Sequence, residues 1–361
     1  MSRSRWTSFF SRRATNASLS PCLATLETTG HSDVARSTLG MLLDKRTMKL
    51  ISSAPFRHRP TILVCFAVIC FCADRAAARS PISLEVLRRA GYGSVELIKL
   101  GHNQLLVPTE INGKKVKLLL DTGWGTDGIT IGMKPSAFEI TPEKGGGMAL
   151  TAGGSRVPMG RGTARSVVMG NVQIQATPIY FGGFTGSGFV GRGFLQKMSA
   201  VIDLTNLRLY LRPPGKGRRV DLGPALAGIG MAHAPISDLQ GTSVVNVEVN
   251  GVATQMALDT GAQFTTLDAR FAKAARAHGW GRRGAYSVDA AGVMTPSDFA
   301  GTKTFKIEGV PIQTPVVFLT KFAGYDLTRG KMSGLLGLDV IGMNWGIIDV
   351  AQQKFYFTQA K

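Results

Sequence analysis

The chain has 361 residues, 44% of them apolar and 18% charged, which excludes a disordered protein and allows two ordinary domains or one bilobal unit. Its 44 glycines, set among scattered Val, Ile and Thr, favour many short strands joined by tight turns over a helical bundle. The net charge of +19 is spread out: residues 1–78 hold 11 of the 42 basic and 4 of the 23 acidic side chains, leaving 31 and 19 for the rest.

A basic surface can attract anionic partners. The body of the chain nevertheless has no basic run interleaved with aromatics, so no nucleic-acid partner is expected. Its most basic stretch, Arg212-Pro213-Pro214-Gly215-Lys216-Gly217-Arg218-Arg219, reads as a solvated linker.

Residues 1–47 are rich in Ser, Thr and Arg and poor in acids, a composition shared with organelle transit peptides. The preferred reading starts translation at Met48 and treats them as an extension. Residues 48–78 then form a secretory signal: Lys49, Arg57 and Arg59 open it, Ile62 to Ala73 is its apolar segment, and Arg75-Ala76-Ala77-Ala78 offers a small-residue cleavage site. The apolar segment has about 12 residues where about 20 span a bilayer. A cleaved signal is therefore preferred to an uncleaved anchor. The mature protein is expected to be secreted or periplasmic, with no stable membrane insertion.

Cys22, Cys65, Cys70 and Cys72 all precede residue 73, so signal removal takes disulfides, thiol catalysis and zinc–thiolate sites with it. His102, His233 and His278 remain in the body, too scattered for a metal site. No metal and no cofactor are implied.

The body begins near residue 80. A short helix is expected over 81–89, ending near Gly91. Strands over 105–111 and 116–120 flank an Asn112-Gly113 hairpin turn, and strands over 244–249 and 253–258 flank Asn250-Gly251. A helix over 268–278 has Asp268 as its N-cap and Gly279 as its stop, with its Lys and Arg residues facing solvent. Shorter helical turns follow Gly191 and Gly337.

The two hairpins belong to a long internal repeat. Leu118-Leu119-Leu120-Asp121-Thr122-Gly123 returns as Met256-Ala257-Leu258-Asp259-Thr260-Gly261, an offset of 138. The same offset carries Ala152-Gly153-Gly154 onto Ala290-Ala291-Gly292 and Pro158 onto Pro296, without a gap. From Phe189-Val190-Gly191 onto Leu335-Leu336-Gly337 the offset becomes 146, so the second half gains 8 residues. The chain thus divides into a first lobe (79–212), a linker (213–230) and a second lobe (231–361).

Two carboxylates brought to one site cannot both ionise easily, so one proton is shared and the pair can act as base and acid. Glycine after each Asp-Thr admits close backbone approach, and the threonine hydroxyls can tie the loops together.

With apolar-Asp-Thr-Gly at 118–123 and 256–261 and apolar-apolar-Gly at 189–191 and 335–337, the sequence resembles an aspartic protease of the retropepsin/pepsin type. The resemblance spans most of 103–361. It implies an all-β fold: two similar β-barrel-like lobes of the acid-protease kind, few short helices, and closing strands at 200–211 and 346–357. It implies an aspartic endopeptidase in which Asp121 and Asp259 activate a water against a peptide bond, supported by Thr122, Gly123, Thr260 and Gly261. The partner is a peptide or protein substrate, and the molecule is a monomer with an intramolecular dyad.

The family's flap hairpins map by position to 148–158 and 288–296, of which the second reads equally well as a plain surface hairpin. Their tips, Ala152, Gly153, Gly154, Ala290, Ala291 and Gly292, are substrate-binding candidates, as is Trp124. Two departures from the family's pattern matter. No flap tyrosine of the pepsin kind stands in 148–158, which draws the resemblance toward retropepsins. The residue after the second motif is the small Ala262, but after the first it is Trp124, which either shapes a pocket or obstructs the site. That indole sustains the alternative, a catalytically inactive protease-like peptide-binding module. Two-carboxylate glycoside hydrolysis is set aside, because the Asp-Thr-Gly repeat has no place in that chemistry.

Overall fold

The computed structural model describes residues 84–101, 103–279, 285–313 and 316–360, with the backbones of two short strands, Ala17–Ser20 and Leu23–Ala24. The expected signal segment, all four cysteines and His102 lie outside the described residues. Among the described residues, no helix is long and apolar enough to cross a membrane.

Both hairpins form where the turn dipeptides stand. Gln104–Ile111 and Lys114–Asp121 pair through Asn112 and Gly113, whose φ values of 49° and 81° are the left-handed geometry of a two-residue turn. Thr242–Val249 and Val252–Leu258 repeat this through Asn250 and Gly251, at 50° and 85°. Alternate residues of Gln104–Ile111 are buried, so one face of the strand lines the core.

Each half curls into a barrel-like sheet. In the first, Gln104–Ile111 also pairs with Arg156–Met169, which closes the sheet on itself. In both halves the motif strand runs parallel to a strand ending at the apolar-apolar-Gly segment: Asp121 lies opposite Gly191, and Leu258 lies opposite Leu336. A third sheet of six strands joins the halves. In it Val201–Asp203 pairs antiparallel with Ile347–Asp349, and Ala232–Pro235, Lys354–Phe357, Arg208–Leu211 and Gly93–Glu96 complete the order. The main apolar core runs continuously through both halves, from Val107, Leu118 and Val190 to Val247, Leu258 and Leu336.

Helices are short. The first covers Glu85–Arg89. Asp268 caps the expected second-lobe helix by accepting from the Arg270 N–H, but the helix spans only Ala269–Ala274. Arg276, at φ 51°, then turns the chain out of helix before Gly279 is reached. The linker is not wholly irregular, since Gly223–Gly228 is helical with proline in its first turn. Arg192–Lys197 and Leu338–Ile341 come directly after the two glycine segments.

The equal spacing of the halves hides a compensated shift. Thr130 faces Phe189 as Thr266 faces Leu335, so the first half has two more residues than the second between the Asp-Thr-Gly motif and the next strand. The 8 extra residues of the second half fall where the helix Ala323–Leu327 stands.

Asp339 lies in the first turn of the helix Leu338–Ile341 and is only 9% exposed. Its Oδ1 accepts from the Thr265 N–H, the Thr265 hydroxyl and the Val340 N–H. Burial outweighs these bonds and pushes its pKa up to about 6. A folded pKa above the unfolded value of 3.8 means that folded protein holds the proton longer, so stability falls as pH rises between those values. Urea titrations should show a loss of up to about 3 kcal/mol from this group between pH 4 and 7. Asp339→Asn keeps an oxygen for the three donors and should flatten that part of the profile. A variant with the wild-type slope would contradict it.

Candidate active site

Asp121 is the last residue of its strand, and Asp259 directly follows Val252–Leu258, where its N–H donates to the Leu336 carbonyl. Both are 0% exposed. Asp121 Oδ1 accepts from the N–H groups of Gly123 (2.9 Å) and Trp124 (3.0 Å). Asp259 Oδ1 accepts from Gly261 (2.8 Å) and Ala262 (3.3 Å). Each Asp-Thr-Gly turn therefore fixes its own carboxyl group with backbone donors.

The two loops meet. A Cβ on Gly261 would stand 2.6 Å from the Asp121 carboxyl carbon, so only glycine lets the second loop approach this closely. Burial, then the Asp121 charge, drives the Asp259 pKa well above the ordinary carboxylate value, and a hydrogen bond with the Asp121 side chain adds to the rise. The backbone donors at Gly261 and Ala262 oppose this shift without overcoming it. The pair is thus built to retain a proton.

Thr122 and Thr260 brace the loops from below. The Thr122 N–H donates to Thr260 Oγ1 and the Thr260 N–H to Thr122 Oγ1, both at 3.0 Å. Each hydroxyl donates onward to the opposite motif strand, Thr122 to the Leu258 carbonyl and Thr260 to that of Leu120. Thr122→Val would strand two buried backbone groups, the Thr260 N–H and the Leu258 carbonyl. It should cost about 3 kcal/mol in urea denaturation. Thr122→Ser should stay close to wild type.

Trp124 is 0% exposed. Its indole N–H donates to Thr130 Oγ1 at 2.7 Å, and its ring packs against Phe184 and Phe189 at centroid distances of 5.0 and 4.9 Å. Ala149 of the first flap and Ala290 of the second cover this cluster. In the second lobe, Ala262, Phe322 and Leu335 form the matching cluster, and Ala152 of the first flap covers it. The two sides of the dyad differ chiefly in the residue next after the motif glycine, an indole on one side and a methyl group on the other.

Hairpins form at both places expected for flaps. Glu143–Thr151 pairs with Arg156–Met169, and Ala285–Asp289 with Met294–Ala300. Gly154 and Gly292 occupy matching tip positions at φ 91° and 80°, a conformation open to glycine at no steric cost. Gly153 packs against the Asp289 carboxylate. All thirteen sequence candidates, from Asp121 to Gly292, lie in the two motif loops or the two flap tips.

Sequence reasoning missed Thr151, Ser155 and Asp289 beside the hairpin tips, the aromatic supports Phe184 and Phe322, and Arg192. The Arg192 guanidinium crosses from the first lobe to Asp238 (3.4 Å) and to the Gly241 carbonyl. The offset of 138 was the available signal for the phenylalanines, since 184 maps onto 322.

Residues 245–340 match the family model described as aspartyl protease, a span that holds Asp259-Thr260-Gly261 and Leu335-Leu336-Gly337. Over that span the chain is similar to aspartyl proteases. Among solved structures, the aspartic proteinase from Irpex lacteus matches at a TM-score of 0.46 and 14% identity, covering 75% of this chain and 98% of that one. No curated protein matches the sequence. The aspartic-protease match falls in the half whose motif is followed by the small Ala262; the half with Trp124 lies outside it.

Proposed function

We propose that the protein is an aspartic endopeptidase whose dyad is Asp121 and Asp259. The observation that carries the proposal is the meeting of two buried carboxyl groups, each fixed by its own Asp-Thr-Gly backbone, with the Asp259 pKa driven upward. One proton is shared between them. The ionised partner takes a proton from a water, whose oxygen adds to the peptide carbonyl carbon. The protonated partner meanwhile gives its proton to the carbonyl oxygen, forming a tetrahedral diol. The C–N bond then breaks as the nitrogen takes the proton of the protonated aspartate and the ionised aspartate takes one from a diol hydroxyl, leaving an amine, a carboxylic acid and a dyad with a single proton.

A peptide substrate is supported by the edges of the flaps. The strand Ala17–Ser20 runs parallel to Met148–Thr151, while Leu23–Ala24 runs antiparallel to Val288–Asp289. Ser20 lies opposite Thr151 and Leu23 opposite Asp289, two positions 138 apart. An extended chain crossing a two-fold arrangement meets one flap in each direction, which is how strand addition would seat a peptide. These two short strands serve here as a stand-in for peptide of any origin.

The non-cleaving alternative rested on Trp124. Its indole is engaged by Thr130, Phe184 and Phe189, and its backbone supports Asp121. That placement favours cleavage over mere binding. The deciding experiment presents a denatured-protein peptide library to the enzyme from acid to neutral pH. Cleavage blocked by a statine-type inhibitor is expected. Peptide binding without cleavage at any pH would establish the alternative.

Both carboxylates come from one chain, which supports a monomer. Secretion or periplasmic export follows from the signal reading, for which a mature N-terminus near residue 79 is the expected result.

A further inference from the structure

We infer that Thr151 and Asp289 form a lock between the two flaps, making Asp289 a positioning residue that sets both tips in register over the dyad. The kinetic consequence rests on the endopeptidase reading, whereas the lock itself does not.

Each residue first shapes its own tip. Thr151 Oγ1 accepts from the Ser155 N–H at 2.9 Å, and Asp289 Oδ1 accepts from the N–H groups of Ala291 (3.0 Å) and Val293 (2.9 Å). The remaining Asp289 oxygen faces the other flap. Its Oδ2 accepts from the Thr151 hydroxyl at 2.5 Å and from the Ser155 hydroxyl at 2.9 Å. These four donors are neutral, and Asp289 is only 2% exposed. Separating the flaps would therefore strip a buried carboxylate of two hydroxyl donors.

The positions make this more than a local contact. Thr151 and Asp289 are 138 apart, so each is the other's counterpart, and counterparts can touch only on the two-fold relation between the halves. Thr122 and Thr260, also 138 apart, touch on the same relation beneath the dyad. The tip carbonyls are pinned reciprocally as well. The Ala323 N–H donates to the Ala152 carbonyl at 3.0 Å and the Thr185 N–H to that of Ala290 at 2.9 Å. Those two bonds are again related by 138, at both donor and acceptor. Two like residues could share only one hydroxyl bond at the axis. An aspartate opposite a threonine gives one flap the acceptor and the other the donors, so neither flap lifts without releasing both.

Hydrogen exchange on the full chain tests the lock without any turnover. In Asp289→Asn and in Thr151→Val, amide exchange should rise about tenfold or more at both 148–156 and 286–294. The double variant should rise no further than the larger single effect, and Thr151→Ser, which keeps the hydroxyl, should exchange as wild type does. Where cleavage is measurable, both single variants should raise KM by similar factors. Exchange that rises only in the flap carrying the substitution, or adds in the double variant, would overturn the lock. Wild type that never cleaves would instead remove the endopeptidase reading and leave the exchange result standing.

Discussion

Asp121→Asn and Asp259→Asn are each expected to reduce peptide cleavage by at least about 10³-fold, because an amide can neither take the water's proton nor return one to the substrate. The same substitution at Asp259 should raise the melting temperature at neutral pH. Burial and the neighbouring charge hold the folded pKa of Asp259 well above 3.8, so stability is lost as pH rises from 3.8 through the folded value. Asparagine removes that charge and keeps an oxygen for the Gly261 and Ala262 N–H groups. The stability gap between Asp259→Asn and wild type should therefore widen from pH 4 to pH 7. Activity should run the other way in wild type, falling as rising pH takes the shared proton. Melting curves and kcat/KM at matched pH values check both. A variant keeping more than a tenth of the activity, or a gap that shrinks with pH, contradicts the assignment.

Trp124→Ala should be among the most damaging single substitutions, costing about 3–5 kcal/mol in urea denaturation. The indole fills the space among Phe184, Phe189 and the flap residues Ala149 and Ala290, and a methyl group there leaves a void beside the dyad. Trp124→Phe keeps most of the ring packing and loses the bond to Thr130, at a cost of about 1–3 kcal/mol. Because the void opens on one side of the dyad only, the Ala variant should also accept bulkier substrate side chains on that side. Profiling both variants against one peptide library separates the effects: Phe should leave the preference unchanged, and Ala should broaden it. An Ala variant as stable as wild type would place Trp124 outside the packed cluster.

Much of this architecture was legible because the sequence states it twice. The Asn-Gly turns, the Asp-Thr-Gly loops and the glycine-bearing flap tips each need a residue type that few others replace, so a matching pair signals matching structure. The lock was not legible for the opposite reason. Thr151 and Asp289 correspond in position but differ in type, and their value lies in that difference. The direction of the Trp124 side chain was equally hidden, since its partner Thr130 stands on the strand Ile129–Ile131, reached by a loop two residues longer than the second half provides. The early end of the 269–274 helix turned on Arg276 adopting a left-handed conformation, which an alanine-rich segment gives no reason to expect. The closing strands could be placed by the repeat and the family resemblance, whereas their pairing with each other joins residues too far apart for any local pattern to report.

That pairing bears on what a nick would do. Residues 214–219 of the linker are exposed, yet Val201–Asp203 is hydrogen-bonded to Ile347–Asp349 and the core passes uninterrupted beneath. Cutting there would turn one polypeptide into two while leaving a single knitted body, with both aspartates still facing each other. The halves resemble a dimer whose subunits happen to share a chain, and the tether supplies stoichiometry more than cohesion.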